Sequence, residues 1–178
     1  MSNVYWSWLN GTNATGQLGN YIVNPGSDWV LSTPGARQFM CCWEGLDGKW
    51  YLFGGQGLSG DSATGTNQLN DMWQFDPATN NWTFIVGGTS SNNFSIYGTE
   101  GLSNPANMPG GRERTACCTG TDGSLYMFGG NGCGNSTSVG LLNDIWRYRI
   151  ATNDWTWLKG SNGAAGSGTI TYGQLGVP

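Results

Sequence analysis

The chain copies itself, and that repetition restricts what it can fold into more than any other feature. "PGARQFMCCWEGLDGKWYLFGG" (34–55) aligns without a gap on "PGGRERTACCTGTDGSLYMFGG" (109–130), and "LNDMWQFDPATNNWTFIVG" (69–87) on "LNDIWRYRIATNDWTWLKG" (142–160). Trp82 and Trp155, which open the same run in the two copies, are 73 residues apart. "VYWSWLNG" (4–11) copies the tail of the unit again and "YGQLGVP" (172–178) copies "YGTEGLS" (97–103), which makes about two and a quarter repeats. A fixed period of this kind marks a supersecondary block that buries its apolar faces against its neighbours.

Inside one unit the periodicity is 2. "RQFMCCW" (37–43), "KWYLF" (49–53), "DMWQF" (71–75) and "NWTFI" (81–85) are short runs rich in aromatic and apolar residues, each bounded by turn residues. The connections "GLDG" or "GTDG" and "DPATN" or "IATN" are short enough for antiparallel hairpins. Four such strands form one meander sheet. With aromatics on both faces, that sheet cannot bury itself alone and must stack on copies of itself, as propeller blades do. Composition agrees: 38% of the residues are hydrophobic, but only 10% are charged and 31 of 178 are glycine, so the surface is built from Gly, Ser, Thr, Asn and aromatic rings. A net charge of −4 with seven scattered basic residues provides no footprint for nucleic acid. No apolar run is long enough to insert in a membrane. "MSNVYWSWLN" has neither the basic nor the apolar region of a signal peptide, so the chain is read as cytosolic or as a piece of a processed protein.

The glycine pairs after the second run (Gly54, Gly55; Gly129, Gly130), the aromatics of the third (Trp73, Trp146; Phe75, Tyr148) and the Trp opening the fourth (Trp82, Trp155) resemble the kelch repeat. More narrowly, "LNDxW…NxWTW…G…YGTxG…NxPGxR…LYxFGG" resembles the long kelch variant of secreted, galactose-oxidase-like propellers. The resemblance covers nearly the whole chain and implies an all-β fold of kelch-type β-propeller blades. Two complete four-stranded antiparallel blades are expected, plus one extra outer strand at the N-terminus. The expected layout is an outer strand and linker over 1–33, a first blade over 34–87, a linker loop over 88–108, a second blade over 109–160 and a further linker over 161–178. The glycine pairs are expected to end their strands, where a Cβ would obstruct close backbone approach.

Catalytic machinery is scarce. The chain contains no histidine. It therefore builds neither a Ser-His nor a Cys-His nucleophile, nor the tyrosine–histidine copper centre that the resemblance would imply. No cofactor and no enzymatic activity are expected. Asp71 and Asp144 recur at the start of the third strand and Asp47 and Asp122 in the first hairpin, and repetition in every blade points to structure. Arg37 and Arg112 recur at the entry to the first strand and are expected to make charge-assisted hydrogen bonds to Asp or to carbonyls of the same or the adjacent blade. Five cysteines without a CxxC pair argue against zinc. Those on the first strand are read as small buried hydrophobes; if the protein is secreted, Cys133 is expected to pair with Cys117 or Cys118.

The long connections, second to third strand and fourth strand to the next blade, emerge on one rim, and loops on a rigid scaffold are where binding concentrates. That face is the candidate binding surface for protein or glycan, with Phe94, Tyr97 and Tyr172 as stacking contacts or as struts for their own loops. Sequons at Asn10, Asn13, Asn81, Asn93 and Asn135 suggest an extracellular glycoprotein. Because propellers close with four to eight blades, the expected partners include further blades or other copies of the chain. The alternatives are a fragment of a secreted galactose-oxidase-like or sugar-active enzyme whose catalytic residues lie elsewhere, and a subunit of an extracellular fibre.

Overall fold

A computed structural model describes residues 5–22, 32–61, 67–135 and 139–163, and in it the two repeats form two antiparallel sheets. The first, blade A, contains β1 (Arg37–Gln38), β2 (Cys41–Glu44), β3 (Trp50–Gly57), β4 (Asn67–Asp76) and β5 (Asn81–Val86). Blade B contains β6 (Arg112–Glu113), β7 (Ala116–Thr119), β8 (Leu125–Cys133), β9 (Val139–Arg149) and β10 (Asp154–Lys159). Each is a four-stranded blade whose first strand is split, since β1 and β2 both pair with β3, and β6 and β7 both with β8.

Two expectations need correction. The run 37–43 is not one strand: Phe39 and its equivalent Arg114 take positive φ values of 58° and 56°, which kink the chain between β1 and β2 and between β6 and β7. The two kinks support each other across the blades, because Arg114 N donates to Phe39 O at 2.9 Å and the Arg114 guanidinium lies 4.5 Å from the centre of the Phe39 ring. Nor do the glycine pairs end their strands. β3 runs through Gly54 and Gly55 to Gly57, and β8 through Gly129 and Gly130 to Cys133, with a shift of register against β4 and β9 at the pair. The glycines form a bulge, and Gly54 needs its lack of side chain twice over. Its φ is 65°, and a Cβ would come within 2.8 Å of Leu69 O in its own blade and of Arg112 O in the next. The copied segment, expected as the outer strand of a preceding blade, forms no strand over residues 5–11 and pairs with neither blade A nor blade B, whose outer places β5 and β10 hold; Trp6 and Trp8 are exposed.

The structure also lengthens the repeat. Isolated bridges pair Asn20 with Thr33 and Ile96 with Met108, at equivalent places ahead of each blade. Segment 88–108 is more than a linker, because it packs on blade B: Asn104 bridges to Trp155, and Gly101 N donates to Trp157 O at 2.7 Å. That stretch covers part of the free edge of β10.

The blades meet face to face around one core. Cys41, Trp43, Tyr51, Phe53 and Met72 of blade A lie against Leu125, Met127, Trp146, Tyr148 and Trp155 of blade B. Trp43 Nε1 reaches Tyr126 O at 2.9 Å and Thr119 Oγ1 reaches Glu44 O at 2.8 Å, so the contact is polar as well as apolar. The repeat equivalents of the blade A face are Ala116, Cys118, Tyr126, Phe128 and Ile145. On blade B they form an open face, with Phe128 52% exposed. Gly54→Ala is expected to lower stability by about 1–3 kcal/mol, because it places a Cβ at a left-handed bulge against two carbonyls. Urea unfolding measures it; a loss below about 0.5 kcal/mol would contradict the close approach.

Candidate functional site

Each blade is held by a cluster of four unlike side chains. In blade A, Arg37 Nη1 and Nη2 grip Asp71 Oδ1 and Oδ2 at 2.6 and 2.7 Å. The same guanidinium donates to Gly54 O at 3.0 Å and to Gly35 O at 3.1 Å. Asp71 Oδ2 also accepts from Tyr21 OH at 2.6 Å and Trp73 Nε1 at 2.7 Å. Blade B repeats the arrangement atom for atom: Arg112 to Asp144 at 2.7 and 2.9 Å, Arg112 to Gly129 O and Gly110 O at 3.2 and 3.1 Å, and Tyr97 OH and Trp146 Nε1 to Asp144 Oδ2, both at 2.7 Å. Ser95 Oγ adds a contact to Arg112 at 3.4 Å. The sequence reason is spacing: an Asp two residues before a strand Trp, an Arg at a kinked strand entry, and a Tyr 15 or 16 residues ahead of that Arg.

Burial makes these pairs demanding, because a charge inside a protein must be matched in full. Burial alone would raise the Asp144 carboxyl, but the hydrogen bonds and charge of Arg112, with Trp146 and Tyr97, outweigh it and hold that carboxyl below its ordinary value. Desolvation, reinforced by the Asp144 charge, pushes the Tyr97 phenol up to about 12. Both oxygens of each aspartate are engaged by these donors, so the clusters fasten the strands of each blade together.

Tyr97 is thus a strut, buried at 6% exposure, which is the second of its two expected roles and leaves it unavailable as a stacking contact. Tyr21, the same strut in blade A, carries no expectation from the sequence, although its spacing from Arg37 is within one residue of that of Tyr97 from Arg112. Tyr172 lies outside the described residues. Phe94 is 42% exposed on the long-loop rim, with Ile96 and Leu102 also exposed on the same segment. Trp82 packs against Phe75 on the open face of blade A, beside Trp50. There, Cys42, Trp43, Glu44, Trp50, Leu52 and Trp82 are among the residues lining a shallow hollow of about 290 Å³.

Among the sequons, Asn10, Asn13 and Asn135 are exposed and Asn81 is half-buried in β5. Asn93 is committed elsewhere, its amide donating to Ser90 O at 2.7 Å and Asn70 Oδ1 at 3.1 Å, so a glycan there would break both bonds. The expected pairing of Cys133 is also corrected. All five cysteines are free thiols. Cys117 is level with Met127 in the ladder, and Cys133 lies six residues further along β8, roughly 20 Å at strand spacing, far beyond the reach of a disulfide. One group escaped the sequence reading altogether: Glu113, which replaces the Gln38 of blade A. It is 4% exposed, accepts from Asn131 Nδ2 at 3.3 Å through Oε1, and its Oε2 has no hydrogen-bond partner, with Arg114 Nε 3.7 Å away. Among the described residues, no three Cys, Asp or Glu side chains converge as a metal site.

Residues 111–162 match the family model of the Kelch motif. The chain is similar to N-acetylneuraminate epimerases, being 33% identical to that of Haemophilus influenzae strain PittEE over 71 residues, which is 39% of this chain and 19% of the relative. Against the Yersinia enterocolitica protein it is 38% identical over 58 residues, 32% of this chain and 15% of the relative. Against the Shigella flexneri protein it is 33% identical over 67 residues, 38% and 18%. The chain thus matches less than a fifth of the length of these curated relatives.

The depressed Asp144 carboxyl fixes a pH dependence. Because its folded value lies below the unfolded value of about 4, its contribution to stability is complete above that unfolded value and disappears as pH falls through the folded one. Asp144→Asn is expected to cost about 3 kcal/mol at neutral pH and to flatten this acid limb. Denaturant unfolding across pH 2–7 tests it, and an unchanged acid limb in the variant would contradict the assignment.

Proposed function

We propose that this chain is a kelch-repeat protein and a non-catalytic scaffold of propeller blades, which packs on further blades and presents its long-loop rim to a protein or glycan. The observation that carries the reading is the equivalence of faces. Ala116, Cys118, Tyr126, Phe128 and Ile145 stand open on blade B, while the same repeat positions in blade A are closed by the neighbouring blade. At the opposite end, Trp50 is 51% exposed, whereas its equivalent Leu125 is buried. Contiguous apolar faces of this kind mark interaction surfaces. The contact surface for an outside partner is the segment bearing Phe94, Ile96 and Leu102. An extracellular setting rests on the exposed sequons Asn10, Asn13 and Asn135.

A second reading has its own support. The similar proteins are epimerases by name, and Glu113 carries a buried carboxylate oxygen without a hydrogen-bond partner. On that reading the chain is part of a propeller enzyme acting on an acidic sugar.

Light scattering during gel filtration tests the scaffold. The 178-residue chain is expected to associate as concentration rises, and Phe128→Glu to suppress it. A monomer at every concentration would overturn the stacking. A turnover assay separates the readings: no epimerisation of N-acetylneuraminate is expected, and turnover abolished by Glu113→Gln would establish the enzyme instead.

A further inference from the structure

Four of the five cysteines lie on β2 and β7, the strands at which the two blades touch. Cys41 is buried, Cys117 half-buried, and Cys42 and Cys118 exposed. Alignment of the repeats makes Cys42 and Cys117 equivalent, but neighbouring blades meet through opposite faces. Blade A therefore presents Cys41 to the Cys117 of blade B. Cys41 Sγ lies 3.6 Å from Thr115 O and Cys117 Sγ 3.6 Å from Cys42 O, so each sulfur crosses toward the other strand. The influence of each thiol on the other raises the Cys41 thiol and holds the Cys117 thiol below its usual range.

This contact is not a general device of the repeat. The position of Cys41 is occupied in blade B by Ala116, so a following blade would find no thiol there. The asymmetry in access matters too: Cys117 can be reached from solvent, and Cys41 is 1% exposed. An oxidant reaches the first and not the second, as suits an attacking thiol and a resolving thiol.

We infer that Cys41 and Cys117 form a reversible dithiol–disulfide site that covalently joins the two blades, oxidised by exchange with a small disulfide such as oxidised glutathione. The Cys117 thiolate attacks one sulfur of the small disulfide, breaking its S–S bond and releasing one thiol. Cys41 then attacks Cys117 Sγ, expels the second thiol and closes the protein disulfide. Two cysteines lose one electron each, the small disulfide gains both, and the two thiol protons leave on the released thiols.

The site is tested on the chain with its natural cysteines. It is incubated with oxidised glutathione, alkylated and mapped by mass spectrometry. The expected product is an intramolecular linkage between the peptides holding Cys41 and Cys117, about 2 Da lighter than the dithiol and reversed by dithiothreitol, with Tm raised by roughly 5–10 °C. Cys117→Ser is expected to leave Cys41 as an unmodified thiol. A mixed disulfide that stops at Cys117 while Cys41 stays free, or linkage of Cys42, Cys118 or Cys133 in its place, would overturn the inference. The mapping requires no variant, so a substitution that fails to fold does not blunt it.

Discussion

The buried pairing of an arginine with an aspartate at the mouth of each blade is the interaction on which the other features rest. Arg37 and Arg112 each bind three parts of the sheet at once: the aspartate in the middle of the third strand, the carbonyl of the first bulge glycine, and the loop that leads into the first strand. A guanidinium suits this task because its planar fork satisfies both carboxylate oxygens and still has donors for carbonyls. The aspartate in turn gathers an indole and a phenol, so the charge is neutralised and every oxygen is engaged. Loss of any member leaves a buried polar group unmatched, which explains why all four appear together in both copies.

Stacking follows from this local order. Once the cluster fixes the strand entries, the bulge at Gly54 lets the backbone of Arg112 approach, and blade B settles its tryptophans against the aromatic face of blade A. The geometry is head to tail, in which one face meets a different face, so nothing in the contact itself limits the stack to two blades. The same directionality explains the thiol pair, since residues at unlike repeat positions are the ones brought together.

Much of this was legible in the sequence, for physical reasons. Repetition and a period of 2 reveal stacked sheets, and Arg37, Asp71 and their copies stand out because charged residues are rare here and recur in register. The glycine pairs misled because a bulge and a turn ask for the same residue, and only the ladder beyond Gly55 tells them apart. Whether Tyr97 is a surface ring or a strut is open in the sequence because its partner Asp144 is 47 residues away. The kink at Phe39 carries no local signature, since a positive φ at a bulky residue is imposed by neighbours. Glu113 was hidden by its position beside Arg112, where a charged residue reads as surface. Segment 4–11 copies an outer strand in sequence, but strand formation also needs a free edge to pair with.

A double-mutant cycle on Arg112→Gln and Asp144→Asn, read by denaturant unfolding at one fixed protein concentration, tests the central claim most directly. The account predicts that the double variant is less damaged than the sum of the singles, by about 2 kcal/mol or more. Additivity to within about 0.5 kcal/mol would show that the pair does not act as a unit and would contradict it.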